Sequence, residues 1–164
     1  MKIVLDLKVV MDTNVFVSGI FFSGTPYQVL RAWQSGEFEL VVSQEILDEY
    51  KRVGESLGED RPAIDWKPIF NFVIEHAKVY KPATLKEPVC EDPDDDKFFA
   101  CALASGSKVI ISGDKHLLKV SGWQGIQVLK PREFADSIWN EVRGAEFEGA
   151  GVLGCVGTLV RRPA

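Results

Sequence analysis

The chain predicts an α/β fold in which a parallel sheet carries helices on both faces. Short apolar runs recur along it: Val9-Val10-Met11, the stretch from Phe38 through Val42, Val109-Ile110-Ile111, and Ile126 with Val128 and Leu129. Segments of helical spacing with their own start and stop residues separate these runs. Alternation of this kind favours crossover connections, and crossovers pair strands in parallel. A length of 164 residues suits one ordinary domain with a real core. We expect that domain over residues 1–140, followed by a C-terminal extension at 141–164.

The elements follow in order. Two apolar runs open the chain, Ile3-Val4-Leu5 and Val9-Val10-Met11, and each ends in Asp. The second is read as the first core strand, because it runs straight into Thr13-Asn14 and a helix signal. A helix is expected over 26–33, where Pro26 suits a first turn and Ser35-Gly36 stops it. Residues 38–42 read as a buried strand, and Ser43 caps the next helix. That helix has a stripe at Ile46, Tyr50 and Val53, with Leu47 on its flank. Glu49 lies three residues after Ile46 and four before Val53, so it borders the buried face. The polar, turn-rich stretch 54–62 is expected to be a loop. A helix over 66–77 would bury Ile69, Phe70, Val73 and Ile74. Val79-Tyr80 is a short strand, and the proline-rich stretch 81–93 a connection.

The clearest helix is expected over 94–104. Proline precedes it, acidic residues favour its positive end, and Gly106 stops it. Asp96 falls on the line of Phe99, Ala100 and Leu103, the expected buried face. Strands at 108–112 and 126–129 follow, then a closing helix over 131–139. The segment 144–160 is rich in Gly, Ala and Val. We read it as a disordered or weakly attached extension, with a partner-contacting edge strand as the alternative.

Composition narrows the function. No stretch approaches the roughly 20 apolar residues of a membrane span, so no membrane association is expected. Cys90, Cys101 and Cys155 are an odd count without a C-x-x-C pair, which predicts free thiols and a cytoplasmic setting. His76 and His116 lack zinc-ligand spacing. A formal net charge of −5 is poor for binding nucleic acid through bulk electrostatics, although bound cations can turn a local patch positive. There is no phosphate-binding glycine loop and no G-x-S-x-G elbow. The four tryptophans are assigned to the core.

Four acidic residues carry the functional argument: Asp12, Glu49, Asp96 and Asp114. Each lies at the end of a predicted strand or on the helix after one. In open α/β sheets those positions converge on one edge, where ligands bind. A pair of carboxylates ~4 Å apart costs roughly 4 kcal/mol at an effective dielectric of about 20. A hard divalent cation with oxygen ligands removes that cost, and Mg²⁺ or Mn²⁺ suits such a set. Thr13, Asn14 and Ser112 could orient the carboxylates or their waters. Asp92, Asp94 and Asp95 are accounted for by the positive end of the helix they begin. Sites of this kind commonly hydrolyse phosphodiesters. Lys97, Lys115 and Lys119 could guide phosphates, but are read first as solvated charges.

The stretch from Val9 through Asp12-Thr13-Asn14 to Gly19 resembles the opening of PIN-domain ribonucleases. Val42-Ser43 through Glu49-Tyr50, Asp92 through Ala100, Ile111 through Leu118, and Gly125 through Phe134 resemble the same family in the same order. The likeness covers about 8–138 and is closest to toxin components of bacterial or archaeal toxin–antitoxin pairs, similar to VapC. It implies a three-layer α/β/α sandwich with a central, mostly parallel sheet, and Mg²⁺- or Mn²⁺-dependent cleavage of RNA. It places the acidic roles on Asp12, Glu49, Asp96 and Asp114, with Asp94 and Asp95 near enough to assist or to be misassigned. It further implies an RNA substrate, a protein antitoxin as partner and a possible homodimer. The residues after 140 match nothing in the family pattern. The rival expectation is a non-catalytic PIN-fold regulatory or interaction module.

Overall fold

The computed structural model describes residues 7–139. The apolar run at 3–5, Cys155 and the extension at 141–164 lie outside the described residues. Five strands, β1 (Lys8–Met11), β2 (Glu39–Val42), β3 (Lys78–Val79), β4 (Val109–Ile111) and β5 (Gln127–Leu129), form one sheet in the order β3-β2-β1-β4-β5. Every pairing is parallel. Val9 is opposite Leu40 on one side and Val109 on the other, which makes β1 the central strand. The runs are almost wholly apolar because Val9, Val10, Met11, Leu40, Val41, Val42, Ile110 and Ile111 are all fully buried. A parallel sheet covered on both faces requires that pattern.

The helices are α1 (Thr13–Phe21), α2 (Thr25–Gln34), α3 (Gln44–Asp60), α4 (Lys67–His76), α5 (Asp96–Ser105), α6 (Lys115–Leu118) and α7 (Pro131–Glu133). A π-helical stretch, Phe134–Trp139, continues from α7. From β1 the chain moves outward through β2 to β3, then crosses back over β1 to β4 and β5. Right-handed crossovers place the outward connections on one face and α5 on the other. Helix α5 packs across β1, β2 and β4, while α1 packs on α2 and α3. The result is the expected α/β/α layering, with a wholly parallel sheet. The strand order reverses between β1 and β4, so a crevice opens at the carboxyl ends of those two strands.

Two features differ from expectation. Residues 54–60, expected as loop, extend α3 to 17 residues. Gly54 and Gly58 lie beneath the indole of Trp66: a Cβ on Gly54 would stand 3.0 Å from its Cε3, and one on Gly58 2.8 Å from its Nε1. Two helical glycines cost ~2 kcal/mol. Burying an aromatic ring of about 150–250 Å² returns roughly 4–6 kcal/mol at about 25 cal/mol/Å², so packing decides the conformation. Second, Ile74 and Leu103, placed in the core by periodicity, are 52% and 38% exposed. Helix α5 is buried from Lys97 through Ala102, not along one stripe.

Candidate active site

Asp12 is the N-cap of α1 and lies directly beyond β1. Its backbone N–H donates to the Ile111 carbonyl at 2.9 Å, extending the β1–β4 ladder by one bond. The carboxylate is only 5% exposed. Its Oδ2 accepts from the Ser112 hydroxyl at 2.6 Å, and its Oδ1 from the Asn14 N–H at 3.4 Å. Burial raises the Asp12 pKa above the ordinary carboxylate range. The Ser112 and Asn14 bonds oppose that rise, and the charges of Asp114 and Glu49 add to it.

Ser112 links two of the acidic residues. While donating to Asp12, it accepts from the Asp114 N–H at 2.9 Å. Asp114 then caps α6, its Oδ1 accepting from the His116 N–H at 2.8 Å. The turn after β4 is thereby built from the same hydroxyl that orients Asp12.

Glu49 reaches the site from α3. Ser43 caps that helix through the Ile46 N–H at 3.3 Å. The next residue, Tyr50, is fully buried, stacks on Phe16 and donates its hydroxyl to the Met11 carbonyl at 2.6 Å. This bond ties α3 to the last residue of β1 and so aims Glu49 towards Asp12. Thr13 donates to Glu49 Oε1 at 2.9 Å. Arg52 lies 3.6 Å from the other oxygen and is largely exposed.

Lys97 is the residue that sequence reasoning underrated. It is buried, with its Nζ 3.0 Å from Glu49 Oε1, 3.1 Å from Asp94 Oδ2 and 2.7 Å from the Asp94 carbonyl. An ammonium has three protons, and here three acceptors meet it. Burial pulls the Lys97 pKa down, but the hydrogen bonds and charges of Glu49 and Asp94 outweigh it and leave the ammonium above the ordinary lysine range. The signal was available: Lys97 precedes Phe98-Phe99-Ala100-Cys101-Ala102, and a helix apolar on all sides buries whatever charge it carries.

The acidic run 91–96 does not continue α5 smoothly. Pro93–Asp95 form a 3₁₀ turn, capped by the Asp92 carboxylate on the Asp94 N–H at 3.0 Å. The tighter turn puts Pro93–Asp95 out of phase with the helix that follows, whereas Asp96 is the first residue of α5 and shares its phase with Phe99. What occupies Asp96 is the loop before the turn. The Asp96 carboxylate accepts from the Cys90 N–H at 2.8 Å and the Val89 N–H at 3.3 Å, holding the 89–90 loop. Asp95, one residue earlier, is close enough to feel the charges of Asp114 and Asp12. Desolvation raises its pKa to about 6, with further contributions from Asp114, Asp92 and Asp12. The structure thus brings together Asp12, Glu49, Asp95 and Asp114, with Thr13 and Ser112 as their hydrogen-bond supports. Asp94 is engaged by Lys97.

The donor set fits a hard divalent ion in kind: carboxylate and hydroxyl oxygens, with burial first and neighbouring carboxylates after it raising the pKa of Asp12 and Asp95. As the side chains stand, no group of three His, Cys, Asp or Glu among the described residues encloses an ion. Cys90 and Cys101 are free and buried, with burial pushing each thiol up to about 12, so they are inert packing groups.

Carboxylates gathered at the switch point of a wholly parallel α/β sheet define a class of sites suited to metal-assisted chemistry. The family model described as the PIN domain matches residues 8–116, more than half of the chain, and the chain belongs to that family. Membership points to nuclease-type chemistry, and PIN domains generally use divalent metals. No curated protein matches the sequence. No helix among the described residues is long and apolar enough to cross a membrane.

Proposed function

We propose that the chain is a Mg²⁺- or Mn²⁺-dependent endoribonuclease, acting in the cytoplasm as the toxin of a prokaryotic toxin–antitoxin pair and held in check by a protein antitoxin. The observation that carries the nuclease reading is the joining of Asp12 and Asp114 through Ser112 at the carboxyl ends of β1 and β4, with burial first and the charge of Asp114 after it raising the pKa of both Asp12 and Asp95. In this reading those three carboxylates hold the ion, with Glu49 beside them. Asp96, the residue first favoured for the third role, serves the 89–90 loop. When bound, a divalent ion activates water and stabilises charge on a phosphodiester. The protein's own part is to position. Ser112 fixes Asp12 and the Asp114 turn, Thr13 and Lys97 fix Glu49, and Asp92 shapes the turn that presents Asp95.

The toxin role, the RNA preference and a homodimer rest on the sequence resemblance alone. A second reading, a non-catalytic PIN-fold interaction module, draws on one observation: Glu49 is already neutralised by Lys97, and no three carboxylates enclose an ion as they stand. Cleavage of single-stranded RNA by the full chain with added Mn²⁺ separates the two readings. We expect endonucleolytic products from the wild type, and a loss of at least about 100-fold for Asp12→Asn with the fold retained. No cleavage with any divalent metal, or equal cleavage by Asp12→Asn, would reject the nuclease reading.

A further inference from the structure

A cleft of 370 Å³ opens beside the carboxylates and shares Asp114 with them. Asn14, Val15 and Ser18 of α1 line it, together with Pro26 at the start of α2, Gly113, and Pro131 at the start of α7. The cleft therefore lies beyond the carboxyl ends of β1, β4 and β5, on the same edge of the sheet as the acidic group. Its volume is near the lower end of the about 300–1,000 Å³ typical of small-ligand sites. That space suits one nucleotide unit and not a duplex.

The lining is divided in a particular way. Asn14 and Ser18 are four residues apart on one helix, hence on one face. Neither side chain makes a hydrogen bond among the described residues; the Asn14 bond to Asp12 uses its backbone N–H. Asn14 offers a donor and an acceptor on one planar amide, and Ser18 offers a hydroxyl. Val15 of the same helix and the rings of Pro26 and Pro131 give the rest of the lining stiff apolar surface. No lysine or arginine lines the cleft, so it lacks the cations that phosphate contacts draw on. A flat, neutral ligand with hydrogen-bonding edges matches this lining. Single-stranded RNA supplies one in each unstacked base, and such bases are the usual targets of sequence-specific RNA recognition.

We propose that this cleft seats one unstacked nucleobase of the RNA, belonging to a nucleotide that flanks the cleaved bond, and that Asn14 and Ser18 read its edge. The proposal rests on the nuclease reading above and extends it: the enzyme cuts next to a preferred base, and that preference resides in α1. Because Asp114 borders both the cleft and the carboxylate group, the seated base and the reacting phosphate are neighbours along one strand.

The test uses the full chain with Mn²⁺ and short single-stranded RNAs randomised around the cut. We expect one flanking position to show a base preference. An RNA with an abasic nucleotide at that position should lose about tenfold in kcat/KM, mostly through KM. Asn14→Ala and Ser18→Leu, the latter filling the cleft, should flatten the preference. Their effects should not multiply with that of the abasic substitution, because both remove the same contact. A second measurement does not depend on turnover: the Asn14 side-chain amide should shift in NMR spectra on titration with an RNA trinucleotide whose linkages are uncleavable methylphosphonates. A preference unchanged in both variants, or an amide that does not shift, overturns the base seat. An amide that shifts while no RNA is cut supports the seat and rejects the nuclease reading instead.

Discussion

Replacing Lys97 with methionine tests how the charges of the site are balanced. Lys97 is the one buried lysine or arginine among the described residues, and methionine keeps its length and apolar stem. The variant loses the contacts at 3.0 Å to Glu49 and at 3.1 Å and 2.7 Å to Asp94. Removing one member of a buried ion pair costs about 3–5 kcal/mol, because the other charge stays buried. Two features lower that figure here. The Asp94 side chain is 65% exposed, so its share is that of a surface pair, about 0–1 kcal/mol. The Glu49 side chain, 18% exposed, keeps the Thr13 hydroxyl and Arg52. We therefore expect a loss of about 2–3 kcal/mol in urea unfolding of the metal-free protein followed by tryptophan fluorescence. Glu49→Gln added to Lys97→Met should recover at least half of it, since the stranded charge is then gone. Mn²⁺ should also raise the Tm of Lys97→Met more than that of the wild type, because the ion then meets an uncompensated carboxylate. A variant within about 0.5 kcal/mol of wild type, or strictly additive effects of the two substitutions, would show that Lys97 is not the counter-charge of Glu49.

Other expectations follow from the same geometry. Asp95→Asn should abolish metal-dependent RNA cleavage with little change in stability. Asp96→Ala should instead cost about 1–3 kcal/mol by stranding the Val89 and Cys90 N–H groups, and proteolysis near the loop should increase; the opposite pattern would return the site role to Asp96. Gly58→Ala should destabilise the protein by about 1–3 kcal/mol by thermal unfolding despite alanine's better helix propensity, because its Cβ would meet Trp66 Nε1 at 2.8 Å. Asp12 and Asp95 have raised pKa values in the folded protein, so the native state holds protons that the unfolded chain gives up earlier. Their contribution therefore becomes more unfavourable as pH rises from about 4, the unfolded value, to about 6, the folded value of Asp95. Mn²⁺ cancels this repulsion, so the Mn²⁺-induced rise in Tm should grow across that window; a shift independent of pH would count against the acidic group as the ion's site.

Much of this architecture is written in local chemistry. The three central strands β1, β2 and β4 carry continuous apolar runs because both faces of a parallel sheet are covered, and such runs stand out in any register. Ser43 before Ile46 and Gly106 after Ser105 mark helix ends through single bonds or a single left-handed residue, at φ +79° for Gly106. The places of Asp12, Glu49 and Asp114 in the fold follow in the same way, each from its offset to a strand or a cap. The error over residues 54–60 came from judging Gly54 and Gly58 by propensity, when a tryptophan from beyond the helix supplies the stabilisation. Ile74 and Leu103 were misplaced because periodicity identifies an apolar residue but not whether another element covers it.

The sequence by itself determined the elements, the parallel pairing and the presence of carboxylates beyond successive strands, since these follow from period, caps and residue type over a few positions. Only the tertiary structure decided that β1 and β4 lie side by side, so that Ser112 could join Asp12 across 100 positions of chain. It likewise decided that Asp95 feels the charges of Asp114 and Asp12 while Asp96 serves a loop, and that Lys97 is buried against Glu49. The physical reason is common to all three: a side chain's direction and its partners depend on the phase of a short turn and on what packs against it, and neither is encoded in the residue itself.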